Sequence, residues 1–374
     1  MRCRSISLLL AVLPLPACAA RMATVDQIRQ AVAQAQDHSD AKVAGELADF
    51  EPMERISPAT LAQLEKEVPG PRSQEALLQL ADASAFLPLP DSEKLNEAPP
   101  EAAGMRKIID NTIQYLGKTI PNLPNFVAVR DTVHFEDSPL QGEIDNSRSV
   151  GAGVSIQSVS SAHLKIGTPY SLAMYSTGKT TGQVTYRAGR EVPTTEETSV
   201  REAERMGLTT RGEFGPILAI VVSDALRNKL YWDHWEGGAA GPVAVFHYAV
   251  PESGSHYTVA YPSENGLKHL APAYHGLLAI DPATGSVLRL TIVADMRPPY
   301  ELVQVGIAVE YGPVLLGDKA YICPLHAVVL SREPTPEEAA VVAPPMRTCL
   351  NDVTFTSYHL FHAESRILSS AHQP

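Results

Sequence analysis

The chain has 374 residues, a length typical of two domains or one large one, with room for a substantial core. Its 30 lysines and arginines against 42 aspartates and glutamates give a formal net charge of −12, which argues against a nucleic-acid-binding protein and against attraction to an anionic membrane surface, since both need a basic face. Apolar residues at 44% and charged residues at 19% are typical of a folded protein rather than a disordered one.

Residues 1–20 have the organisation of a secretory signal peptide. Arg2 and Arg4 precede a short apolar run at 6–13, and small residues follow at 17–20. The apolar run is too short to span a membrane, and a proline follows it directly. We therefore expect an exported protein, located in the periplasm or at the outer membrane, without a transmembrane span after the signal.

Two modes of cleavage fit the end of this segment. The Ala-Cys-Ala run at 17–19 predicts ordinary cleavage before Ala20. The Leu-Pro-Ala-Cys run at 15–18 resembles a bacterial lipobox, in which Cys18 becomes the lipidated N-terminus, although proline fits that box poorly. The sequence leaves both modes open.

Apolar residues at helical spacing predict short amphipathic helices over residues 21–87. Val25 and Ile28 begin an i, i+3, i+7 pattern, and Ser57 before a proline is typical of a helix N-cap. Helices this short are stable only when they pack together, so we expect helical hairpins. The segment 88–100 is rich in proline and polar residues and is predicted to be a linker.

Residues 101–368 are expected to form a domain of helix and antiparallel strands, followed by a tail at 369–374. Helices over 101–118 and 212–226 carry apolar stripes of period 3.6. Elsewhere the period is 2, and the alternation at 303–311 predicts a strand with one dry face and one polar face. The predicted strands lie around 127–135 and at 161–166, 170–176, 182–187, 229–236, 242–250, 255–261, 273–280, 286–295, 301–311, 319–331 and 350–362.

About eight to eleven such strands exceed the usual size of a flat sheet. The predicted fold class is therefore α+β: N-terminal helical hairpins followed by a large, strongly curved antiparallel sheet, an open or half barrel, with one or two packed helices. The Asp-Pro-Ala-Thr-Gly run at 281–285 is a strong turn signal between two strands, because proline suits its second position and Gly285 supplies a positive φ.

Two cysteines, Cys323 and Cys349, lie beyond the signal. An even pair in an exported protein is compatible with a disulfide. Two buried thiols on neighbouring strands are the alternative, and the spacing does not decide between the two.

Motifs of catalysis are incomplete in this chain, and we predict no catalytic residue, metal ligand or cofactor. Ser176 and Lys179 match a Ser-x-x-Lys pair, but its partner motifs are missing and the surrounding residues predict a hairpin tip. His359 and His362 point to opposite faces of a strand. His234 has acidic neighbours in the sequence, yet adjacent strand residues also point to opposite faces. A hydrolase that uses strand histidines is the less favoured alternative.

Aromatic residues are concentrated in the strands predicted between 229 and 280. They either line a cavity for an apolar ligand or form the core of the sheet. The candidates for ligand contact are Trp232, Phe246, Tyr248, Tyr257 and Tyr274.

Short runs spread over the chain carry a resemblance. They are Leu-Pro-Asn-Phe at 123–126, Gly-Glu-Phe-Gly-Pro at 212–216, His-Trp-Glu at 234–236, Tyr-His-Gly at 274–276 and Tyr-Ile-Cys-Pro at 321–324. With them the chain resembles a group of exported acidobacterial proteins of unknown function, over most of its length after the signal. This resemblance transfers no catalytic residue. At lower specificity, the layout of the β part is similar to that of periplasmic lipoprotein carriers, which implies a curved sheet that holds acyl chains.

These patterns together favour an exported cell-envelope protein without enzymatic activity, whose curved sheet binds a lipid or another apolar ligand. The alternative is an interaction or scaffold module that docks an envelope protein through its helical region and has no ligand cavity. We expect no nucleic-acid partner.

Overall fold

The computed structural model of this chain describes six stretches of the sequence. The expected signal peptide at 1–20 with Cys18, the strand predicted at 161–166 and the tail at 369–374 lie outside them. The described residues are 21–137, 174–192, 208–263, 266–297, 302–334 and 346–360.

A helical unit opens the described chain and confirms the helical hairpins expected there. Its apolar stripes meet in one core, in which Ile28, Leu47, Leu64 and Leu77 are at most 1% exposed. Its helices are α1 Val25–Gln34, α2 Asp40–Ala48, α3 Pro58–Leu64 and α4 Pro71–Ala83. Two short parallel strands, β1 Arg21–Ala23 before α1 and β2 Phe50–Pro52 after α2, pair with each other.

Side-chain caps fix where these helices begin. The Ser57 hydroxyl accepts a hydrogen bond from the backbone N–H of Thr60, as the sequence predicts. Asp40, the first residue of α2, accepts hydrogen bonds from the backbone N–H groups of Arg72 and Ser73. Because these two residues lie in the first turn of α4, one carboxylate satisfies unpaired N–H groups of α4 and holds α2 against it.

The rest of the described chain is dominated by strands. They are β3 Lys94–Leu95, β4 Phe126–Glu136, β5 Tyr175–Arg187, β6 Arg190–Val192, β7 Lys229–Gly238, β8 Gly241–Val250, β9 Val259–Ser263, β10 Gly266–Leu270, β11 Tyr274–Ile280, β12 Val287–Ala294, β13 Gln304–Leu316, β14 Lys319–Pro334 and β15 Met346–Leu360. Eleven of them form one antiparallel sheet in the order β3-β7-β8-β11-β12-β13-β14-β15-β4-β5-β6, and β9 pairs with β10 separately. The sheet is open, because its order ends at β3 and β6.

The inner face of the sheet, on which Phe246, Leu290 and Val309 lie, carries two helices. They are α5 Ala102–Lys118 and α6 Pro216–Arg227, close to the helices predicted at 101–118 and 212–226. α6 begins later than predicted because Gly215 has a φ of 145° and Pro216 occupies the first helical position.

The outer face of the sheet, on which Val245, Ala308 and Val328 lie, is partly covered by the helical unit. Ala83 and Phe86, at the end of α4, pack against Val328 and Leu350 of this face. The sheet is therefore a middle layer between two sets of helices, an arrangement that the sequence did not predict.

The segment predicted as a linker, 88–100, joins the two parts of the molecule in a fixed conformation. β3 pairs with β7 at one edge of the sheet, and the Trp235 indole N–H donates a hydrogen bond to the carbonyl of Ala98. On the other side, Glu93 accepts hydrogen bonds from Arg29 and Thr60 of the helical unit.

The hairpin tip predicted at residues 176–180 is wrong. These residues lie inside β5, which pairs with β4 along its whole length and has an irregular register beside Gly178. The threonines around Gly178 favour an extended strand, and the glycine takes up the irregularity with a φ of 150°.

The α+β class, the N-terminal helices and the large curved antiparallel sheet are as the sequence predicts. Among the described residues, no helix combines the length and the apolar character that crossing a membrane requires.

Candidate functional site

A row of charged side chains crosses the outer face where the helical unit covers it. Directly paired strand residues point to the same face, and Arg289 is paired with Glu310, which is paired in turn with His326. We call this set the charged row. Its members are Glu236 on β7, Arg289 on β12, Glu310 on β13, His326 on β14 and Asp352 on β15.

Glu236 is the centre of one end of the charged row. Its carboxylate accepts two hydrogen bonds from Arg289, at 2.7 and 2.8 Å, and one from Arg55 of the helical unit at 3.0 Å. Burial alone would raise the pKa of Glu236, but the two arginines and His234 outweigh it and hold that pKa well below its usual range. A buried carboxylate therefore joins the helical unit to the sheet.

His234 contacts both of its acidic neighbours, contrary to the sequence prediction. Its ring nitrogens lie 2.6 Å from an oxygen of Asp233 and 3.0 Å from Glu236. Glu236 shares a face with His234 because the two are two positions apart in a strand. Asp233 reaches the same ring because a register shift places it opposite no residue of β8.

At the other end of the charged row, His326 lies between two carboxylates. Its Nε2 is 2.7 Å from an oxygen of Asp352 and 3.6 Å from an oxygen of Asp82, which α4 supplies. Asp82 and Asp352 are 2% and 4% exposed. Burial alone would lower the pKa of His326, but the bond to Asp352 and the charge of Asp82 outweigh it and raise that pKa to about 9. The imidazole is therefore a cation at neutral pH.

The inner face holds a relay of polar groups that spans three strands. His134 on β4 lies with Nδ1 2.6 Å from Oδ1 of Asn351 and with Nε2 3.1 Å from the hydroxyl of Thr180. A hydroxyl, an imidazole and an orienting amide in this order match the parts of a nucleophilic relay. Thr180 itself lies in the middle of the ladder between β4 and β5, where it is paired with Thr132. The same three side chains are therefore also arranged as in an ordinary ladder of polar residues across neighbouring strands.

A pair of glutamates lies close to the start of α6. Glu213 is fully buried, and Arg130 lies 3.6 Å from its carboxylate. Glu191 accepts a hydrogen bond from the backbone N–H of Gly212 at 2.9 Å. Burial, together with the neighbouring charge of Glu213, raises the pKa of Glu191 to about 7.

Glu191→Gln is expected to stabilise the protein at pH 8 and to have little effect at pH 5. A carboxyl whose pKa is raised in the folded state keeps its proton there while the unfolded chain has lost it, so folding stability falls as the pH rises from about 4.5 through about 7. Glutamine removes this loss, which is worth roughly 1–3 kcal/mol. Urea unfolding of both proteins at the two pH values measures it, with Glu67→Gln on the exposed surface as the charge control. Equal effects of Glu191→Gln at pH 5 and pH 8 would contradict the assignment.

A further polar cluster surrounds Asp224, a buried residue of α6. Its carboxylate accepts hydrogen bonds from the hydroxyl of Tyr274 at 2.8 Å and from the backbone N–H of His256 at 2.8 Å, and it lies 2.7 Å from Nδ1 of the same histidine. The loop before β9 is thereby fixed to α6 and to the first residue of β11.

An open groove of about 900 Å³ lies beside this cluster, at the end of β7, β8, β11 and β12. Its walls combine apolar side chains with Lys229, Arg297, Glu252 and a pair formed by His275 and Asp295 at 3.3 Å. In the part of the chain that the structure describes, neither Lys229 nor Arg297 makes an ion pair. The apolar part of the wall consists of Ala249, Val250, Pro251, Pro272, Ala273 and the ring of Tyr274.

Known proteins give no guide to these sites. No family model, no curated protein and no solved structure matches the chain. Any functional assignment therefore has to come from the geometry of the chain itself.

The five aromatic candidates pack together rather than around an open space. All belong to the inner-face core or pack against it, and four of them are at most 6% exposed. Trp232 contacts Phe246 edge to face, and Tyr274 contacts both Tyr248 and Tyr257. A cavity that Tyr257 lines in this core measures about 80 Å³, well below the usual size of a ligand site. Tyr274 alone of the five also lines the groove.

The disulfide considered for Cys323 and Cys349 is not formed. Both are free, buried thiols on neighbouring strands, the other arrangement that the sequence allows. Cys349 is paired with Ser331 of β14, so roughly 25 Å of strand separates it from Cys323, far beyond the reach of a disulfide. Burial raises the pKa of Cys323 to about 12 and that of Cys349 well above its ordinary value. Both sulfurs therefore stay protonated and unreactive at neutral pH.

Sequence reasoning predicted none of these polar clusters. The alternation of polar and apolar residues in β12 to β15 indicates a polar outer face, but such a face is normally exposed to solvent. His359 lies in β15, and His362, which the sequence predicts to point to the opposite face, lies outside the described residues.

Proposed function

We propose that this chain is an exported binding protein that holds an acyl chain with an anionic head group in the groove at the end of β7, β8, β11 and β12. The observation that carries the proposal is the groove itself, which combines a ligand-sized volume of about 900 Å³, apolar walls and two cations without a carboxylate partner. Ligand sites of proteins typically measure about 300–1,000 Å³ and pair an apolar lining with a few polar groups.

The groove replaces the inner face of the sheet as the ligand site that we expected. Two helices and close-packed aromatic side chains fill the inner face. Ala249, Pro251 and Ala273 offer apolar surface to the groove, while Lys229 and Arg297 are exposed at its rim. An anionic head group would gain both charges there without breaking an existing ion pair.

Native mass spectrometry of the chain purified from a bacterial periplasm, with lipid extraction of the same sample, tests this proposal. We expect one copurifying lipid per chain, or the uptake of one added palmitate, with release on denaturation. Charge reversal at both Lys229 and Arg297 should weaken palmitate binding at least about tenfold, the effect of about 1.4 kcal/mol. Lys319→Glu, at the exposed start of β14, is the matched control and should bind as the native chain does.

A clean mass with no palmitate uptake would overturn the acyl-ligand proposal and favour an interaction module. One observation supports this second candidate. Tyr231, on the outer face beside the groove, is 50% exposed and stacks on His247 with ring centroids 5.3 Å apart. Exposed aromatic side chains of this kind are frequent anchors at protein interfaces.

A further inference from the structure

We propose that Asp82, His326 and Asp352 form a binding site for a divalent transition-metal ion, with Zn²⁺ as the best-matched ion. The three side chains come from α4, β14 and β15, and each offers one ligand atom. All three ligand atoms lie within 4.8 Å of one another. This site is on the outer face of the sheet and does not depend on the groove.

The spacing of the three ligand atoms suits a small ion. Zinc holds nitrogen and oxygen ligands at about 2.0–2.2 Å, which places neighbouring ligands of a tetrahedron roughly 3.4 Å apart. Nε2 of His326 is 2.7 Å from Asp352 and 3.6 Å from Asp82. These distances bracket the tetrahedral spacing, so an ion would need the bond between His326 and Asp352 to open by less than about 1 Å.

Asp82 supplies the second, independent observation. It is 2% exposed, and its Oδ2 has no hydrogen-bond partner. Buried carboxylates normally have their oxygens satisfied by donors or by a metal ion, because an unpaired buried charge is costly. The nearest approach of this carboxylate to the cluster is 3.6 Å, between its Oδ1 and Nε2 of His326. An ion between the three side chains would satisfy it.

The acidic side chains around His326 also favour a bound cation. Asp82 and Asp352 share one imidazolium, and Glu310 is paired directly with His326 on the neighbouring strand. Arg55 of the helical unit is bonded to Glu236, at the other end of the charged row. Two carboxyl groups close to one histidine, with a third paired across the sheet, form a set of side chains that a divalent cation can bridge.

The donor set decides the class of ion. One imidazole nitrogen and two carboxylates suit zinc or another first-row transition metal, whereas Ca²⁺ prefers six to eight oxygen ligands. Entry is possible from the side of His326, whose side chain is 28% exposed. Because Asp82 belongs to the helical unit and the other two ligands to the sheet, the ion would bind the two layers together.

The test is a calorimetric titration of Zn²⁺ into the chelator-treated full chain. We expect one equivalent to bind, with an affinity that falls at least about 100-fold in both His326→Gln and Asp82→Asn. His275→Gln is the matched control, since it removes a histidine that also faces an aspartate but belongs to an exposed pair. It should bind Zn²⁺ as the native chain does.

Two further measurements test the metal site even if Asp82→Asn fails to fold. Zn²⁺ should raise the melting temperature of the native chain and of His275→Gln, but not that of His326→Gln, because binding to the folded state alone stabilises it. Co²⁺ bound to the native chain should show the intense visible bands of a four- or five-coordinate ion. Equal Zn²⁺ affinity in the native chain and His326→Gln, or no binding to the native chain at all, would overturn the proposal.

Discussion

Replacing Glu236 by glutamine is expected to lower the free energy of unfolding by roughly 3–5 kcal/mol, the usual cost of breaking a buried ion pair by removing one partner. Glutamine keeps the shape of the side chain and removes only its charge. Arg55 and Arg289 are then left as buried cations without a carboxylate between them, and Arg55 makes its one described ion pair with Glu236. The loss should therefore exceed that of any single surface charge.

Urea unfolding followed by tryptophan fluorescence measures this loss directly, because Trp232 and Trp235 lie on the same strand as Glu236. Asp233→Asn is the control: it removes the other carboxylate of His234, which is 39% exposed, and should cost less than about 1 kcal/mol. Hydrogen exchange should in addition show faster exchange in the helical unit of Glu236→Gln. A loss below 1 kcal/mol for Glu236→Gln would mean that the buried pair contributes nothing to holding the two layers together.

Gly285→Ala is expected to destabilise the protein by roughly 2–5 kcal/mol, from two separate causes. Gly285 has a φ of 75°, a conformation that costs other residues about 1–2 kcal/mol. Its missing Cβ would also lie 2.2 Å from the backbone carbon of Asn111 and 2.5 Å from the nitrogen of Thr112, both in α5. Because backbone cannot move aside as a side chain can, α5 would have to shift away from the sheet, which adds about 1–3 kcal/mol.

Gly189→Ala separates the two causes. Gly189 has a φ of 78°, almost the same as that of Gly285, but no atom lies within 4 Å of the position of its Cβ. This variant should lose only the conformational part, about 1–2 kcal/mol. Thermal or urea unfolding of both variants gives the difference, which is the contribution of the contact with α5. Equal losses in the two variants would show that α5 is not held closely against this turn.

Local signals in the sequence predicted the elements of the fold well. Ser57 before Pro58 marks a helix start that the structure has at the same place. The turn that ends at Gly285 was predicted together with its positive φ. Such features depend on residues a few positions apart, so the pattern contains all the information they need.

The charged row could not be predicted in the same way, because its partners are far apart in the chain. Arg55 and Glu236 are separated by 181 residues, and Asp82 meets Asp352 only after the helical unit has packed on the outer face. Polar residues on alternate positions of β13 and β14 indicate a face exposed to solvent. The sequence does not reveal that a second set of helices covers this face.

The aromatic residues show a further limit of sequence patterns. Tyr248 and Tyr274 occupy inner-face positions of their strands. This pattern is expected both for a packed core and for the wall of a cavity. The outcome was decided by the docking of α6, which places Asp224 within 2.8 Å of the Tyr274 hydroxyl and closes the space between the rings. Packing between distant elements, rather than periodicity, determines whether an aromatic strand face stays open.

The pairing of β4 with β15 has a consequence for how the protein reaches its native state. β4 begins at Phe126 and β15 ends at Leu360, so two neighbouring strands of the sheet come from nearly opposite ends of the strand-rich part of the chain. Closing so long a loop slows folding. During synthesis β4, β5 and β6 have no partner connecting them to the other strands until the last strand has emerged. Folding of the whole sheet therefore has to wait until β15 is available.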